Sequence, residues 1–244
     1  VKPKRVNYKI SMKRILITGA SRGIGYELCK QLLKEEHQVV ATYRSEKTAG
    51  PLFELEDRSK NLLCLSMDVN SSASVQSASE EISEKFPFLD QVFNNAGILD
   101  WSPLGQVSAE SFLSIYETNV VGVFRVSVAV LPLLQKGHEP LIINLSSRLG
   151  SIELRGNSQL GGAIAYQCSK AALNMLTRQM SIDFAKEGIR AIAISPGWVR
   201  TDMGGREAKY EVSESVKLFL SQIAQLPSSA NGIFMGEDGE IIPW

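Results

Sequence analysis

The chain has 244 residues, of which 44% are hydrophobic and 21% are charged, a composition typical of a globular protein with a substantial core. Its 26 lysines and arginines equal its 26 aspartates and glutamates, and this balance argues against a protein dedicated to nucleic acid. No apolar run approaches the roughly 20 residues that a membrane span requires. We therefore expect neither a nucleic-acid partner nor a membrane partner.

The cysteines and histidines bear on metal binding and on the compartment. Cys29, Cys64 and Cys168 form no CxxC or Cys/His ligand spacing, and an odd number of cysteines suits a reducing compartment. His37 and His138 both lie in polar turns, so neither a histidine-centred triad nor a zinc site is expected. The sequence thus predicts no metal, and a cytoplasmic or other reducing location.

Residues 1–12 are interpreted as an N-terminal extension of unknown origin. Residues 1–11 are basic but contain no apolar stretch, so they do not look like a secretory signal. Added residues, upstream coding sequence and the remnant of a targeting peptide all fit them, and the last would place the protein in an organelle matrix. No repeat or linker follows, so residues 13–244 are predicted to form a single domain.

From residue 13 onward, short apolar runs alternate with longer amphipathic stretches. The runs predict strands at 14–19, 38–43, 61–69, 89–97, 140–147, 189–197 and 232–236. The stretches predict helices at 23–37, around 75–86, at 109–134, at 163–186 and at 212–226. Continuous apolar strands that alternate with helices indicate an α/β protein whose parallel sheet is covered by helices on both faces. In such sheets, ligands bind at the edge formed by the carboxyl ends of the strands.

The first predicted strand runs directly into TGASRGIG at residues 18–25, which opens the first helix. The glycines have the spacing GxxxGxG instead of the GxGxxG of the common dinucleotide fingerprint. Glycine allows a tight turn and lets the backbone approach a pyrophosphate, and the helix start directs N–H groups at its charge. The alternative is a turn that serves only packing, but its place after the first strand favours a dinucleotide site.

The end of the second strand bears on which dinucleotide is bound. A carboxylate about 20 residues after the glycine turn normally binds the ribose hydroxyls of NAD. Here Tyr43 stands at that place and Arg44 follows it, so no carboxylate would repel a 2′-phosphate. Arg44 and Arg22 would clamp such a phosphate through bidentate hydrogen bonds. We predict NADP(H) in preference to NAD(H); the alternative is two solvated surface arginines.

The stretch AYQCSK at 165–170 places Tyr166 and Lys170 one helical turn apart on the same face. Taken alone, this spacing favours an amphipathic rim whose two polar tips lie in water. The other interpretation is that Lys170 lowers the pKa of Tyr166 and makes its phenol a usable proton donor. The spacing itself does not choose between them.

Six motifs in register support the second interpretation. They are TGASRGIG (18–25), NNAG (94–97), Asn119 within TNVVG, INLSS (143–147), YQCSK (166–170) and SPGWVRT (195–201). Together they closely resemble the classical short-chain dehydrogenase/reductase family, over nearly the whole chain from residue 13. SSRLGS (146–151) and the ending DGEIIPW (238–244) look like the branch of C-factor and sniffer-type carbonyl reductases. The resemblance implies a Rossmann-type doubly wound sheet of about seven parallel strands and a nicotinamide cofactor.

The resemblance also implies four catalytic residues. Ser147 would hydrogen-bond the substrate's carbonyl oxygen, and Tyr166 would donate a proton to that oxygen as hydride arrives at carbon. Lys170 would bind the nicotinamide ribose hydroxyls and lower the pKa of Tyr166, and Asn119 would hold a water of the proton relay. Donors fixed at this oxygen agree with the chemistry, because hydride transfer develops negative charge there.

The same resemblance implies a set of cofactor contacts. Asp68 and Val69 would meet the adenine, the NNAG motif its ribose, and the residues after the sixth strand the nicotinamide. The full set is Gly19, Ser21, Arg22, Gly23, Ile24, Gly25, Arg44, Asp68, Val69, Asn95, Ala96, Gly97, Tyr166, Lys170, Pro196, Gly197, Val199 and Thr201.

Two of the catalytic assignments have direct alternatives. Ser147 would otherwise only cap the following turn, and Ser146 is its immediate rival. We prefer Ser147 because it stands three residues before Gly150, as in the family pattern. Asn119 would otherwise be an ordinary helix asparagine bonded to the backbone.

Two departures from the family concern the substrate pocket. Ser147 and Tyr166 are 19 residues apart, where about a dozen is usual, so we expect a loop at IELRGNSQLGG (152–162). The segment after PGWVRTDMGG is also short for a substrate lid, which predicts an open pocket for varied aldehydes, ketones or quinones.

The sequence therefore predicts an NADP(H)-dependent oxidoreductase that reduces a carbonyl to an alcohol. The alternatives are an alcohol dehydrogenase working in the oxidative direction and a non-catalytic, NADP-sensing interaction protein. The helices at 109–134 and 163–186 carry more apolar residues than one sheet-facing stripe needs. We expect them to join subunits of a homodimer or homotetramer, unless they are fully buried in a monomer.

Overall fold

The computed structural model describes residues 12–156 and 161–244. The extension at 1–11 and part of the predicted loop, 157–160, lie outside the described residues. The strands are β1 (Arg14–Ile17), β2 (Gln38–Tyr43), β3 (Leu62–Ser66), β4 (Gln91–Asn94), β5 (Leu141–Leu145), β6 (Arg190–Ile194) and β7 (Phe234–Met235).

All seven strands lie in one parallel sheet with the order β3-β2-β1-β4-β5-β6-β7. This confirms the predicted doubly wound α/β sheet. The chain winds outward in one direction from β1 to β3 and in the other from β4 to β7, so the order reverses between β1 and β4. At such a point the loops diverge and open a crevice at the carboxyl edge of the sheet.

The helices are α1 (Gly23–Lys34), α2 (Gly50–Glu56), α3 (Ser72–Lys85), α4 (Ala109–Tyr116), α5 (Gly122–Ala129), α6 (Leu131–Leu134), α7 (Ile164–Asp183) and α8 (Val212–Ala224). They cover both faces of the sheet. Leu28 of α1 and Phe219 of α8 pack on one face with Ile15 and Ile17 of β1. The other face is covered by α3, α5 and α7, whose apolar residues pack against alternate residues of the same strands.

The predicted boundaries differ from the observed ones in two instructive places. Strand β2 ends at Tyr43 as predicted, and the other strands end one to three residues earlier than predicted, because the apolar pattern continues after the chain has left the hydrogen-bonded ladder. The predicted helix at 109–134 is interrupted by a π-helical segment, Glu117–Val121, and again before Pro132, which lacks the N–H that a continuous helix needs. The short helix α2 was not predicted.

Across the described parts of the chain, we found no helix both long and apolar enough to cross a lipid bilayer. The same residues contain no group of three histidine, cysteine, aspartate or glutamate side chains that would hold a metal ion.

Candidate active site

The glycine turn after β1 and the NNAG motif after β4 form one tightly joined floor. Gly19 has φ of +65°, and a Cβ placed on it would lie 2.9 Å from Cα of Ala96. The Thr18 hydroxyl accepts hydrogen bonds from the backbone N–H groups of Asn95 and Ala96, both at 3.0 Å. The Asn95 side-chain amide donates to the carbonyl oxygens of Thr18 and Gly19, each at 2.9 Å. A side chain at position 19 would therefore force the two strand ends apart.

This floor fits the phosphates of a dinucleotide. Helix α1 begins directly after Arg22, where no side chain caps its first N–H groups and its first turn contains no acidic residue. Free N–H groups at a helix start attract an anion, because the helix dipole and the unpaired donors act together. The residues that would hold the dinucleotide here are those of the turn, including Ser21, Gly23, Ile24 and Gly25.

The loop after β6 borders the glycine turn from the opposite side. The Thr201 methyl carbon lies 3.6 Å from the place a Cβ of Gly23 would occupy. Arg22 forms an ion pair with Asp202 at 2.8 Å between Nη1 and Oδ2, with both side chains largely exposed. Thr201, a predicted nicotinamide residue of this loop, thus lies close to the glycine turn, whereas a Cβ added at Gly197 would meet Glu237 and Tyr210. The cofactor contacts of Pro196, Gly197 and Val199 stay predictions.

The predicted adenine side lies at the ends of β2 and β3. Asp68 follows β3 and accepts a hydrogen bond from the backbone of Asn70, and Val69 beside it is buried. Arg44 follows β2 and is exposed. Within the described residues, the Arg44 guanidinium makes neither a hydrogen bond nor an ion pair. Arg22, by contrast, is engaged by Asp202, an ion pair that the sequence did not predict.

Ser147 and Tyr166 come together despite the 19 residues between them. Ser147 is half-buried, and Tyr166 is buried with 9% of its surface exposed. Burial raises the pKa of Tyr166 to about 12 and outweighs a hydrogen bond with the Ser147 side chain, which acts to lower that pKa. The phenol therefore stays protonated throughout the neutral range.

The rival serine, Ser146, has a different environment. Its hydroxyl is buried and donates to Oδ1 of Asn174 at 2.6 Å. Ser147 is instead half-buried and within hydrogen-bonding reach of Tyr166, although its Oγ also accepts a hydrogen bond from the Leu149 N–H at 3.1 Å and so caps the turn that follows. The capping role and a place beside Tyr166 are both present in one residue.

Lys170 lies beside Tyr166, but not as a strong electrostatic partner of its phenol. Its Nζ is 5.5 Å from the centroid of the Tyr166 ring and donates to the carbonyl oxygen of Leu145 at 2.7 Å. Burial lowers the pKa of Lys170 to about 8. The expectation that Lys170 lowers the pKa of Tyr166 is therefore wrong for this arrangement, because burial dominates both groups and the sequence spacing did not reveal it.

Asn119 lies in the π-helical segment and ties three elements together. Its Oδ1 accepts from the Ile98 N–H at 2.9 Å, and its Nδ2 donates to the Ile98 carbonyl oxygen at 2.9 Å and to the Ser169 hydroxyl at 3.0 Å. The side chain is fully buried. Gly97 packs against it, because a Cβ added at position 97 would lie 3.3 Å from Oδ1 of Asn119. The observed bonds are mostly to backbone, as the alternative interpretation expected, and the water-holding role stays a prediction.

Three residues that support this site were missed by the sequence analysis. The Thr18 hydroxyl joins the loops after β1 and β4, and the Ser169 hydroxyl accepts a hydrogen bond from the Asn119 amide. The Asn174 amide forms hydrogen bonds to the chain on both sides of Ser147. The helical spacing offered a signal for Asn174, which lies one turn after Lys170 on the same face. No comparable signal existed for Thr18, whose partners are about 77 residues away in the sequence.

Three large apolar side chains are exposed on the loops that leave the carboxyl edge of the sheet. Trp101, Ile152 and Trp198 follow β4, β5 and β6 respectively, and more than half of each side chain is exposed. The start of α7 is tied to the first of these loops, because Ala163 N–H donates to the Trp101 carbonyl oxygen at 3.1 Å.

Comparisons with known proteins agree with this geometry. The family model of the short chain dehydrogenases matches residues 13–211. The C-signal protein of Myxococcus xanthus is 40% identical over 157 residues, which cover 64% of this chain and 93% of that protein. The NADPH-dependent pterin aldehyde reductase of Arabidopsis thaliana is 33% identical over 200 residues, covering 81% of this chain and 79% of the plant protein.

Two solved structures have nearly the same fold as this chain. The NADPH-bound carbonyl reductase from chicken fatty liver superposes with a TM-score of 0.91 at 34% identity, covering 96% of this chain and 99% of the other. The carbonyl reductase Sniffer of D. melanogaster superposes with a TM-score of 0.89 at 35% identity, covering 96% of this chain and the whole of the other.

Proposed function

The chain belongs to the short-chain dehydrogenase family of oxidoreductases, and we propose that it uses NADPH to reduce a carbonyl compound to an alcohol, with Tyr166 as the proton donor. The observation that carries this proposal is the buried Tyr166 phenol, held beside Ser147 and with Nζ of Lys170 5.5 Å from the centroid of its ring. The same residues would serve an alcohol dehydrogenase working in the oxidative direction, because an enzyme accelerates both directions of its reaction. The ratios of substrate and cofactor then decide the net direction.

In this mechanism, bound NADPH supplies the hydride. The Ser147 hydroxyl donates to the carbonyl oxygen of the substrate and orients it. Tyr166 gives its phenolic proton to the same oxygen as negative charge develops there, so that both donors stabilise the transition state. The Lys170 ammonium, whose Nζ lies 5.5 Å from the centroid of the phenol ring, would bind the hydroxyls of the nicotinamide ribose. Asn119 forms hydrogen bonds to Ile98 in the loop after β4 and to Ser169 of α7, and so holds that loop against the helix that carries Tyr166.

The preference for NADP(H) rests on Arg44 and on the absence of a carboxylate at the end of β2. Tyr43 occupies that strand end, and Arg44 is exposed beside it. Two similar proteins are described as NADPH-dependent or NADPH-bound. A guanidinium there would bind the 2′-phosphate that distinguishes the two cofactors.

Arg44→Ala is expected to lower kcat/KM for NADPH by about 10- to 100-fold, because a charged hydrogen-bond pair contributes roughly 1.5–3 kcal/mol. The value for NADH should change less than twofold, since NADH has no 2′-phosphate. Arg58→Ala, which removes another exposed arginine just beyond α2, serves as the matched control. A wild-type preference for NADH, or equal losses with both cofactors, would contradict the assignment.

The experiment that tests the function is a panel of carbonyl compounds assayed by the loss of NADPH absorbance. We propose an open pocket, because the segment after PGWVRTDMGG (196–205) is short. The Trp198 indole, within that motif, is half exposed and donates a hydrogen bond to the Gly204 carbonyl oxygen. Several unrelated aldehydes, ketones or quinones should therefore be reduced. One narrow substrate would contradict the open pocket, and NADPH binding without any turnover would favour the non-catalytic sensor.

We further propose that the protein forms homodimers or homotetramers through α4, α5 and α7. Large apolar side chains on these helices point outward, with Leu113, Phe124, Met175 and Ile182 each at least half exposed. Exposed apolar residues grouped on neighbouring helices are typical of subunit contacts. The molar mass in solution tests this, and a monomer at micromolar concentration would contradict it.

A further inference from the structure

We propose that residues 236–244, here called the strap, are a positioning element that holds Ser147 in place, with Trp244 as its anchor. The strap follows β7 and lies against the chain that leaves β5. This inference rests on the proposed function, in which the Ser147 hydroxyl orients the substrate's carbonyl group.

The chain around Ser147 is held on its inner side by α7. Asn174 accepts from the Ser146 hydroxyl at 2.6 Å and donates to the Gly150 carbonyl oxygen at 3.2 Å, so one amide spans Ser147 on both sides. Gly150 packs directly on the backbone of α7, because a Cβ there would lie 2.7 Å from the carbonyl carbon of Lys170. The packing of Gly150 prevents the turn from moving toward α7, and the two hydrogen bonds of one amide resist its movement away.

The strap closes the outer side of the same turn. The Ser151 hydroxyl donates to the carbonyl oxygen of Pro243 at 2.6 Å, and the Glu153 N–H donates to that of Trp244 at 3.1 Å. The Trp244 indole stacks on Phe234 with the ring centroids 5.6 Å apart and an interplanar angle of 24°. Phe234 is buried in the sheet, so this stacking anchors the strap to a rigid strand.

Arg148 provides a second link between the strap and Ser147, its neighbour in the chain. Its Nη1 lies 2.9 Å from a Glu240 carboxylate oxygen, and its Nη2 lies 3.8 Å from those of Glu237 and Asp238. Glu237 is only 5% exposed, so its charge has little water to compensate it. Three carboxylates of the strap thus converge on the guanidinium of the residue next to Ser147.

The long path between Ser147 and Tyr166 explains why such a device is needed. Strand β5 ends at Leu145 and α7 begins at Ile164, so Ser147 lies at the start of a long connection instead of on a regular element. A displacement of about 1 Å at a reacting group can cost up to 100-fold in rate. The strap supplies, through tertiary contacts, the rigidity that a shorter connection would have by itself.

The test compares Trp244→Ala with Trp244→Phe in the intact protein. Trp244→Ala removes the ring that stacks on Phe234, and kcat for carbonyl reduction should fall about tenfold. KM for NADPH should stay within twofold, because Trp244 stacks on Phe234 and the glycine turn lies in the other half of the sheet. Glu237, the strap residue that packs against Gly197 in the predicted nicotinamide loop, is left unchanged. Trp244→Phe keeps an aromatic ring and should retain most of the wild-type kcat.

A double-mutant cycle shows whether the strap acts through Ser147. In a Ser147→Ala background the hydroxyl is already lost, so adding Trp244→Ala should lower kcat by less than twofold. An equal loss in both backgrounds, or an unchanged kcat in Trp244→Ala alone, would overturn the role of the strap. Should Trp244→Ala fail to fold, Ser151→Ala removes the link to Pro243 and is read in the same cycle. A wild-type protein that reduces no carbonyl would instead overturn the proposed function.

Discussion

Replacing Tyr166 by phenylalanine is expected to lower kcat for carbonyl reduction about 1000-fold, since a positioned general acid contributes roughly 10²- to 10⁴-fold. The substitution removes a single oxygen from a side chain that is 9% exposed, and the ring can keep its place. The phenol lies beside Ser147 and keeps its proton at neutral pH, because burial raises its pKa to about 12. The loss should therefore appear in kcat.

Binding of NADPH by Tyr166→Phe should stay within about threefold of wild type, measured by quenching of intrinsic fluorescence. The control is Tyr26→Phe, which removes the hydroxyl of a half-buried tyrosine on α1 and should leave kcat unchanged. A Tyr166→Phe protein that keeps more than a tenth of the wild-type kcat would remove Tyr166 from the mechanism. A protein that also loses NADPH binding would point to a structural defect.

Lys170→Met is expected to lower kcat/KM at least 100-fold without lowering the free energy of unfolding at pH 7. Burial lowers the pKa of Lys170 from its ordinary value of 10.5 to about 8. Each pKa unit corresponds to about 1.4 kcal/mol, so holding this ammonium in the fold costs on the order of 3 kcal/mol at pH 7. Methionine removes that cost but leaves the Leu145 carbonyl oxygen without its donor, which costs roughly 1–3 kcal/mol.

The sign of the pH dependence makes this prediction specific. Because the pKa of Lys170 is lower in the folded state, the unfolded state binds more protons between about pH 8 and pH 10.5. The wild-type protein should therefore gain stability relative to Lys170→Met as the pH rises through that range, and the difference should be constant below pH 8. Urea unfolding of both proteins at pH 7 and pH 10 measures it.

Lys186→Met, which replaces an exposed lysine just after α7, is the matched control and should show no such pH-dependent difference. A large loss of stability in Lys170→Met at pH 7 would show that the lysine is structural instead. Retention of the wild-type kcat/KM would show that it takes no part in the reaction.

The sequence by itself determined the fold class and the family resemblance from which the candidate site residues were named. Alternating apolar strands and amphipathic helices determine a parallel sheet covered on both faces, since each element must bury its own apolar surface. The glycine turn at 18–25 could be placed after β1 because the requirement for glycine is local: position 19 needs positive φ. The Tyr166–Lys170 pair could likewise be placed on one face, because helix geometry is periodic.

Only the tertiary structure decided how these residues are held and charged. The choice of Ser147 over Ser146 gains its physical support from Asn174, which occupies the hydroxyl of Ser146. The elevated pKa of Tyr166 and the lowered pKa of Lys170 both follow from burial beneath loops that are distant in the chain. The ion pair of Arg22 with Asp202 and the strap along Ser147 join residues far apart in sequence. Desolvation and long-range contacts depend on the whole packed fold, so they cannot be predicted from the pattern of neighbouring residues in the sequence.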